Sequence, residues 1–123
     1  MNKKRLIKAA IVILLLSITI PLRSEDVELG SFKLPRDINY QGRVIAKGSY
    51  NLDLELKEAE AFLLIKKDGE VLCREMAIVI PGKKEYETPR ITVTILTRDD
   101  DPLLRIRTFV GSSTYSGYYQ YIQ

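Results

Sequence analysis

The chain predicts an all-β fold, a small antiparallel β-sandwich or partly open barrel that follows an N-terminal signal helix. Three observations support this class. Apolar and polar residues alternate with period two through Tyr50, Leu52 and Leu54, as in a strand with one buried face. Asp68-Gly69 separates two apolar runs, which is a strong signal for a tight hairpin. Strand-length segments then recur between turn residues, as they do in sandwiches and small barrels.

The predicted strands follow one another closely along the chain. The first are short segments at residues 32–34, 38–40 and 43–46, followed by a half-buried strand at 50–56 and a central strand at 62–65. A long strand at 71–80 ends at Pro81-Gly82, and an alternating β-branched strand at 90–97 ends at the turn Asp99-Asp100-Asp101-Pro102. A strand at 104–107 follows, and after a turn at Gly111-Ser112-Ser113 the chain forms a closing strand at 115–122.

One segment also fits a different structure. Residues 55–67 contain Lys57, Glu58 and Ala59 among several good helix formers, so a helix is the alternative there. We favour strands because period-two alternation precedes the segment and the Asp-Gly turn follows it.

The first 24 residues have the features of a secretory signal peptide. A basic start with Lys3 and Arg5 precedes an apolar run at residues 9–20, and the small Ser24 precedes the acidic Glu25. The apolar run is shorter than the roughly 20 residues that a membrane-spanning helix needs. We therefore predict cleavage near Glu25, and a single exported domain at residues 25–123 that is periplasmic or extracellular.

Removal of this leader changes the charge of the protein. The chain has 19 Lys and Arg residues against 16 Asp and Glu, and five of the cations but none of the acids lie in residues 1–24. The mature chain therefore keeps 14 cations against 16 acids, a net charge of −2. Nucleic-acid binding needs a basic patch to neutralise phosphates, so we expect no nucleic-acid partner. The roughly one hundred mature residues fit one small domain with one core.

An early segment resembles a group of small secreted bacterial β proteins. The matching residues are Phe32-Lys33-Leu34-Pro35-Arg36-Asp37 and Gly42-Arg43-Val44-Ile45-Ala46-Lys47-Gly48-Ser49-Tyr50. They are similar to a Phe-x-x-Pro strand, a glycine, and an apolar-Pro-Ala-Gly-Thr-Tyr turn that leads into a strand. The chain departs from this pattern because the turn lacks the proline and Lys47 separates Ala46 from Gly48. The resemblance implies an all-β extracytoplasmic fold and assigns no site residue.

The residues that usually carry catalysis are scarce. The chain has no histidine and one cysteine, Cys73, and it has no glycine-rich phosphate loop, so we predict no catalytic residue, no cofactor and no enzymatic activity. Cys73 is expected to be a small packed thiol, with an intermolecular disulfide as the alternative. Asp99, Asp100 and Asp101 suggest a calcium site or a solvated turn, and we favour the turn and no metal.

Aromatic residues are concentrated at the C-terminus, where four of the seven tyrosines occupy the last nine residues. They are a possible interaction surface, because tyrosine is enriched at interfaces, or they are half-buried on a closing strand. Alternation places Tyr119 and Tyr121 on one face of the strand and Tyr118 on the other. The candidate surface comprises Tyr115, Tyr118, Tyr119 and Tyr121.

These observations favour a binding or structural interaction module of the cell envelope. Its partner would be another envelope protein, bound through an exposed sheet edge or the tyrosines. The alternative is a carrier of small apolar ligands with an interior lined by Leu54, Leu64, Ile78 and Ile95. An enzyme of unknown type is a further alternative. The mature domain is not expected to span a membrane, because outward positions are charged at Asp53, Glu55, Arg105 and Arg107.

Overall fold

The computed structural model describes residues 25–98 and 100–123. The predicted signal peptide, with its helix, and Asp99 lie outside the described residues. All described regular structure is β, in eight strands: β1 (Glu25–Leu34), β2 (Ile38–Tyr40), β3 (Arg43–Ile45), β4 (Gly48–Lys57), β5 (Glu60–Lys67), β6 (Glu70–Met76), β7 (Ile78–Arg98) and β8 (Asp101–Tyr121).

The strands form two antiparallel four-stranded sheets. The first sheet has the order β1-β4-β5-β6 and the second has the order β3-β2-β8-β7. The sheets are separate and pack face to face, so the all-β prediction is confirmed and takes the form of a sandwich rather than a closed barrel. Strands that are adjacent in the chain are also adjacent in space for most of the fold, as short connections require.

The hairpin β5–β6 forms at the predicted turn. Lys67 pairs with Glu70, and the two residues between them have φ of 51° at Asp68 and 81° at Gly69. Positive φ at both central positions defines a type I′ turn, whose twist matches that of the flanking strands. The Asp-Gly signal therefore predicted this element and its ends.

The helix alternative for residues 55–67 is wrong. Lys57 on β4 pairs with Glu60 on β5, and Glu58 takes φ of 55° in the tight turn between them. Propensity for helix is a weak preference, and here the burial of Leu52 and Leu54 on β4 and of the consecutive residues 61–65 on β5 outweighs it.

The predicted strand at residues 71–80 is two strands, one in each sheet. The chain crosses between the sheets at Ala77, which is buried and donates a 2.8 Å backbone hydrogen bond to the carbonyl of Ala61. Pro81-Gly82 does not end the second strand, because β7 continues to Arg98 with register shifts after Pro81 and after Tyr86. Edge strands and bulges accept proline, and β7 offers both.

Residues 111–113, where a turn was predicted, lie inside β8 opposite the part of β7 that carries the extra residues. The core-facing positions of β8 are even-numbered before Gly111, as at Leu104 and Ile106, and odd-numbered after it, as at Tyr119 and Tyr121. Ser116 is buried on the other face, where Arg107 donates a hydrogen bond to its hydroxyl. Gly111 has φ of 59°, a left-handed conformation that glycine adopts without strain. This change of phase keeps one face of a 21-residue strand against the core. The turn predicted before residue 102 does form, between the paired Arg98 and Asp101.

The core lies between the inner faces of the two sheets. Each fully buried Leu or Ile contributes roughly 1.5–3 kcal/mol relative to an exposed one, and this burial stabilises a chain with a single cysteine. The apolar side chains with no exposed surface are Leu52, Leu54, Leu63 and Ile65 from the first sheet and Ile38, Leu104 and Ile106 from the second.

Candidate functional site

The C-terminal tyrosines do not form one exposed surface. Tyr119 and Tyr121 are only 4% and 8% exposed and belong to the core, and Tyr115 is partly buried against it. Tyr118 is 40% exposed on the opposite face of β8. The predicted alternation is confirmed, and it removes two of the four rings from any contact surface.

An exposed apolar run lies on β7, the neighbouring strand. Ile78, Val79 and Ile80 are 55%, 42% and 50% exposed. Ile78 pairs with Ser116 and Ile80 with Thr114, so both isoleucines share the outer sheet face with Tyr118. We call Ile78, Val79, Ile80 and Tyr118 the β7 edge patch, because β7 is the last strand of its sheet.

The outer edge of β6 is covered by side chains from the second sheet. The hydroxyl of Tyr40 donates a 2.7 Å hydrogen bond to the carbonyl of Arg74, and Nη2 of Arg43 donates one of 2.6 Å to the carbonyl of Leu72. These donors occupy backbone acceptors that an added strand would need. The edge is therefore closed to strand addition.

Two more of the four sheet edges are protected in different ways. The outermost strand β3 has only three residues. The first four residues of β1 include the exposed Glu25, Asp26 and Glu28, and charged side chains on an edge strand oppose the approach of another strand. Residues 78–80 at the start of β7 are apolar, exposed and unpaired by any described strand on their outer side, and the protections of this edge, Pro81, the register shift and Lys83, begin only after them.

A basic and aromatic cluster follows the patch along β7. Nζ of Lys84 lies 5.2 Å and Cζ of Arg90 lies 5.9 Å from the centre of the Tyr86 ring. The same ring packs against Phe109 of β8, with their centres 5.1 Å apart. Within the described residues neither cation forms an ion pair with a carboxylate. The ring thus holds two cations near one point of the surface, and the exposed Glu85 and Glu87 beside it on β7 pair directly with neither.

On the outer face of the first sheet, Lys66 and Arg74 each form an ion pair with a carboxylate of the same sheet. Nζ of Lys66 lies 3.0 Å from Oδ2 of Asp53, and this hydrogen bond raises the pKa of Lys66. The guanidinium of Arg74 stacks 3.7 Å from the centre of the Phe62 ring and reaches Glu55 at 2.7 Å. These long cationic side chains cover apolar groups on an outward face, as their methylene stems allow.

The four residues proposed to line a ligand-carrying interior lie in separate places. Leu54 is in the core, and Leu64 pairs with Asp53 and Arg74 on the outer face of the first sheet. Ile78 and Ile95 are exposed. The predicted lining is therefore wrong, because alternation on its own does not say which sheet face a strand turns to the core.

Cys73 packs in the core with 1% of its surface exposed. Burial, with a smaller contribution from the carboxylate of Glu75, raises the pKa of its thiol to about 12. A buried neutral thiol is unreactive, which opposes the disulfide alternative. The described residues contain no group of three or more acidic or cysteine side chains arranged to hold a metal, and Asp99 lies outside them.

No protein-family profile, curated protein sequence or solved structure matches this chain. Across residues 25–98 and 100–123, no helix has the length and apolar character to cross a membrane. The β7 edge patch was only partly foreseeable. The consecutive apolar residues Ile78, Val79 and Ile80 beside a proline were its signal in the sequence, but their exposure depends on the crossing at Ala77.

Proposed function

We propose that the mature protein is a non-catalytic binding module of the cell envelope that takes up an extended segment of another envelope protein at the β7 edge patch. The observation that carries this proposal is the contrast between edges. Three sheet edges are shortened, charged or covered by side chains, and the β7 edge begins with three exposed apolar residues, Ile78, Val79 and Ile80. An open apolar edge is suited to strand addition, in which backbone hydrogen bonds give affinity and side-chain contacts give specificity.

The sequence supports the proposed export to the cell envelope and the proposed lack of catalytic activity. Residues 1–24 have the features of a signal peptide, and residues 32–50 resemble secreted bacterial β proteins. The chain has no histidine, and its one thiol, on Cys73, is buried. The simplest function for a protein of this composition is to bind a partner without catalysing a reaction.

Photocrosslinking in exporting cells tests the proposal. A photoreactive amino acid replaces Ile80, which is 50% exposed, in one variant. In the control it replaces Val44, which is 62% exposed on β3, at the opposite edge of the same sheet. We expect a discrete adduct with an envelope protein from position 80 and none from position 44. The adduct should disappear with Val79→Lys, since a charge on an edge strand blocks strand addition, and persist with Val44→Lys. Equal adducts from both positions, or an adduct indifferent to Val79→Lys, would contradict the proposal.

A further inference from the structure

The surface beside the β7 edge patch has a fixed order of chemistry. Along β7 the apolar Ile78, Val79 and Ile80 come first, and the exposed Lys83 and Lys84 follow after Pro81. The two cations on Tyr86 come from Lys84 and Arg90. Residues 83–90 also carry the exposed Glu85 and Glu87, so this end of the strand has three cations against two acids, a net charge of +1. A ligand that lies along the strand therefore meets apolar surface first and then the cations held on the Tyr86 ring.

The regular edge is short. The register of β7 shifts directly after Pro81, and proline has no N–H to offer to an added strand. Backbone pairing is thus confined to Ile78, Val79 and Ile80, and it supplies too few hydrogen bonds to hold a flexible segment alone. A second set of contacts is needed, and the adjacent cations are the available group.

The Lys84 and Arg90 side chains on the Tyr86 ring are suited to binding carboxylates. Contact with the ring orients Lys84 and Arg90 and leaves their N–H donors without an ion-pair partner among the described residues. Carboxylates form short charge-assisted hydrogen bonds with such groups, and arginine binds them in a two-pronged geometry. Opposite charges also steer association and fix its direction.

We propose that the segment bound at the β7 edge patch runs antiparallel to β7 and carries carboxylates on the N-terminal side of its apolar residues. This inference rests on the proposed function. Antiparallel pairing is the stronger geometry and is the one both sheets use. In that direction a residue opposite Lys84 precedes the residues opposite Ile80 and Ile78, so the acidic residues come first in the segment.

Synthetic peptides test the order and the charge. One peptide has two aspartates, a short polar spacer and three valines; a second has asparagines in place of the aspartates; a third has the same residues as the first in reverse order. Fluorescence polarisation measures their binding to the mature protein. We expect the first peptide to bind about tenfold more tightly than the second at low salt, with the difference falling as salt rises. The reversed peptide should bind no better than the neutral one.

Charge reversal on the protein supplies the matched comparison. Lys84→Glu should abolish the preference for aspartates and favour a peptide with lysines in their place. Lys57→Glu, at an exposed lysine on β4, should leave the preference unchanged. Circular dichroism of each variant checks that the fold is retained.

The outcomes separate this inference from the proposed function. If the neutral peptide binds as tightly as the acidic one and Val79→Lys blocks both, strand addition stands and the charge inference is overturned. A preference for the reversed peptide overturns the antiparallel direction. If every peptide fails and the protein instead cosediments with vesicles of anionic phospholipid, the occupant is a lipid surface and both proposals are overturned.

Discussion

Tyr119 is a buried ring whose hydroxyl group has no hydrogen-bond partner among the described residues. Burying a polar group without a partner costs about 1–3 kcal/mol. We therefore expect Tyr119→Phe to leave the free energy of unfolding unchanged or to raise it, and Tyr119→Ser to lower it by about 3–5 kcal/mol through the cavity it opens. Urea denaturation measures both. Tyr118→Ser is the control and should change stability by less than about 0.5 kcal/mol, because Tyr118 is exposed. A large loss from Tyr119→Phe would show that the hydroxyl does have a partner.

The same hydroxyl restricts its neighbour Gly117. A Cβ atom at Gly117 would lie 2.8 Å from the Tyr119 hydroxyl oxygen and 3.0 Å from a methyl carbon of Leu63. Gly117→Ala should destabilise the protein by about 1–3 kcal/mol through overpacking. In the Tyr119→Phe background the loss should be smaller, and a double-mutant cycle measures this coupling. Additive losses would show that the limit is set by Leu63 and by the ring carbon of Tyr119 that lies 3.2 Å from the same position, and not by the hydroxyl.

Cys73 makes the free energy of unfolding depend on pH in the alkaline range. Its pKa is raised by burial from 9.0 to about 12, so between these values the folded state keeps a proton that the unfolded state loses. The free energy of unfolding should then fall as pH rises through this window, by up to about 1.4 kcal/mol per pH unit. Urea denaturation at pH 8 and at pH 10.5 measures the fall. Cys73→Ala should remove this part of the slope while other groups still contribute, and identical slopes in both proteins would contradict the assignment.

Asp53 shows where residue-level prediction stops. Alternation places it correctly on the outer face of β4, yet it is only 5% exposed because Lys66 covers it. The sequence does not reveal that contact, since the two residues are paired only after β4 and β5 form.

At the scale of elements, the β5–β6 turn offers a test of backbone strain alone. Gly69 has φ of 81°, and a Cβ added there would meet nothing within 4 Å. Gly69→Val should lower the free energy of unfolding by about 1 kcal/mol or more, because a β-branched residue resists positive φ. Gly69→Asn is the matched control and should cost less, since asparagine tolerates this conformation. Equal losses from the two substitutions in thermal denaturation would mean that the turn type is wrong.

Tight hairpins were predictable and bulged strands were not. Asp68-Gly69 forms its turn because both residues satisfy a local requirement for positive φ. Pro81-Gly82 and Gly111 are equally strong local signals, but they lie within one long hairpin, where Pro81 pairs with Ser113 and Gly111 with Tyr86, and the register shifts between these pairs. Whether such residues end a strand or bend it depends on the partner strand, which local sequence does not contain.

At the scale of the whole molecule, stability and resistance to aggregation both depend on the contacts that cover the edges. Tyr40 and Arg43 join the second sheet to the edge of β6 through two backbone carbonyls. The double variant Tyr40→Phe with Arg43→Ala should expose that edge and increase concentration-dependent association, which light scattering at constant temperature detects. Lys57→Ala is the control at an exposed site without such a contact. An unchanged scattering signal, with the fold intact, would show that the edge stays covered by other groups.

The change of phase at Gly111 has a consequence for the length of the chain. Because the core-facing positions of β8 are even-numbered before this residue, as at Leu104, and odd-numbered after it, removing Gly111 alone would turn Tyr119 and Tyr121 towards water and Tyr118 inwards. Removing two neighbouring residues would preserve the orientation of everything that follows. Natural and engineered length variants of this hairpin should therefore fold when they differ by an even number of residues. Variants with a single-residue insertion or deletion should be destabilised.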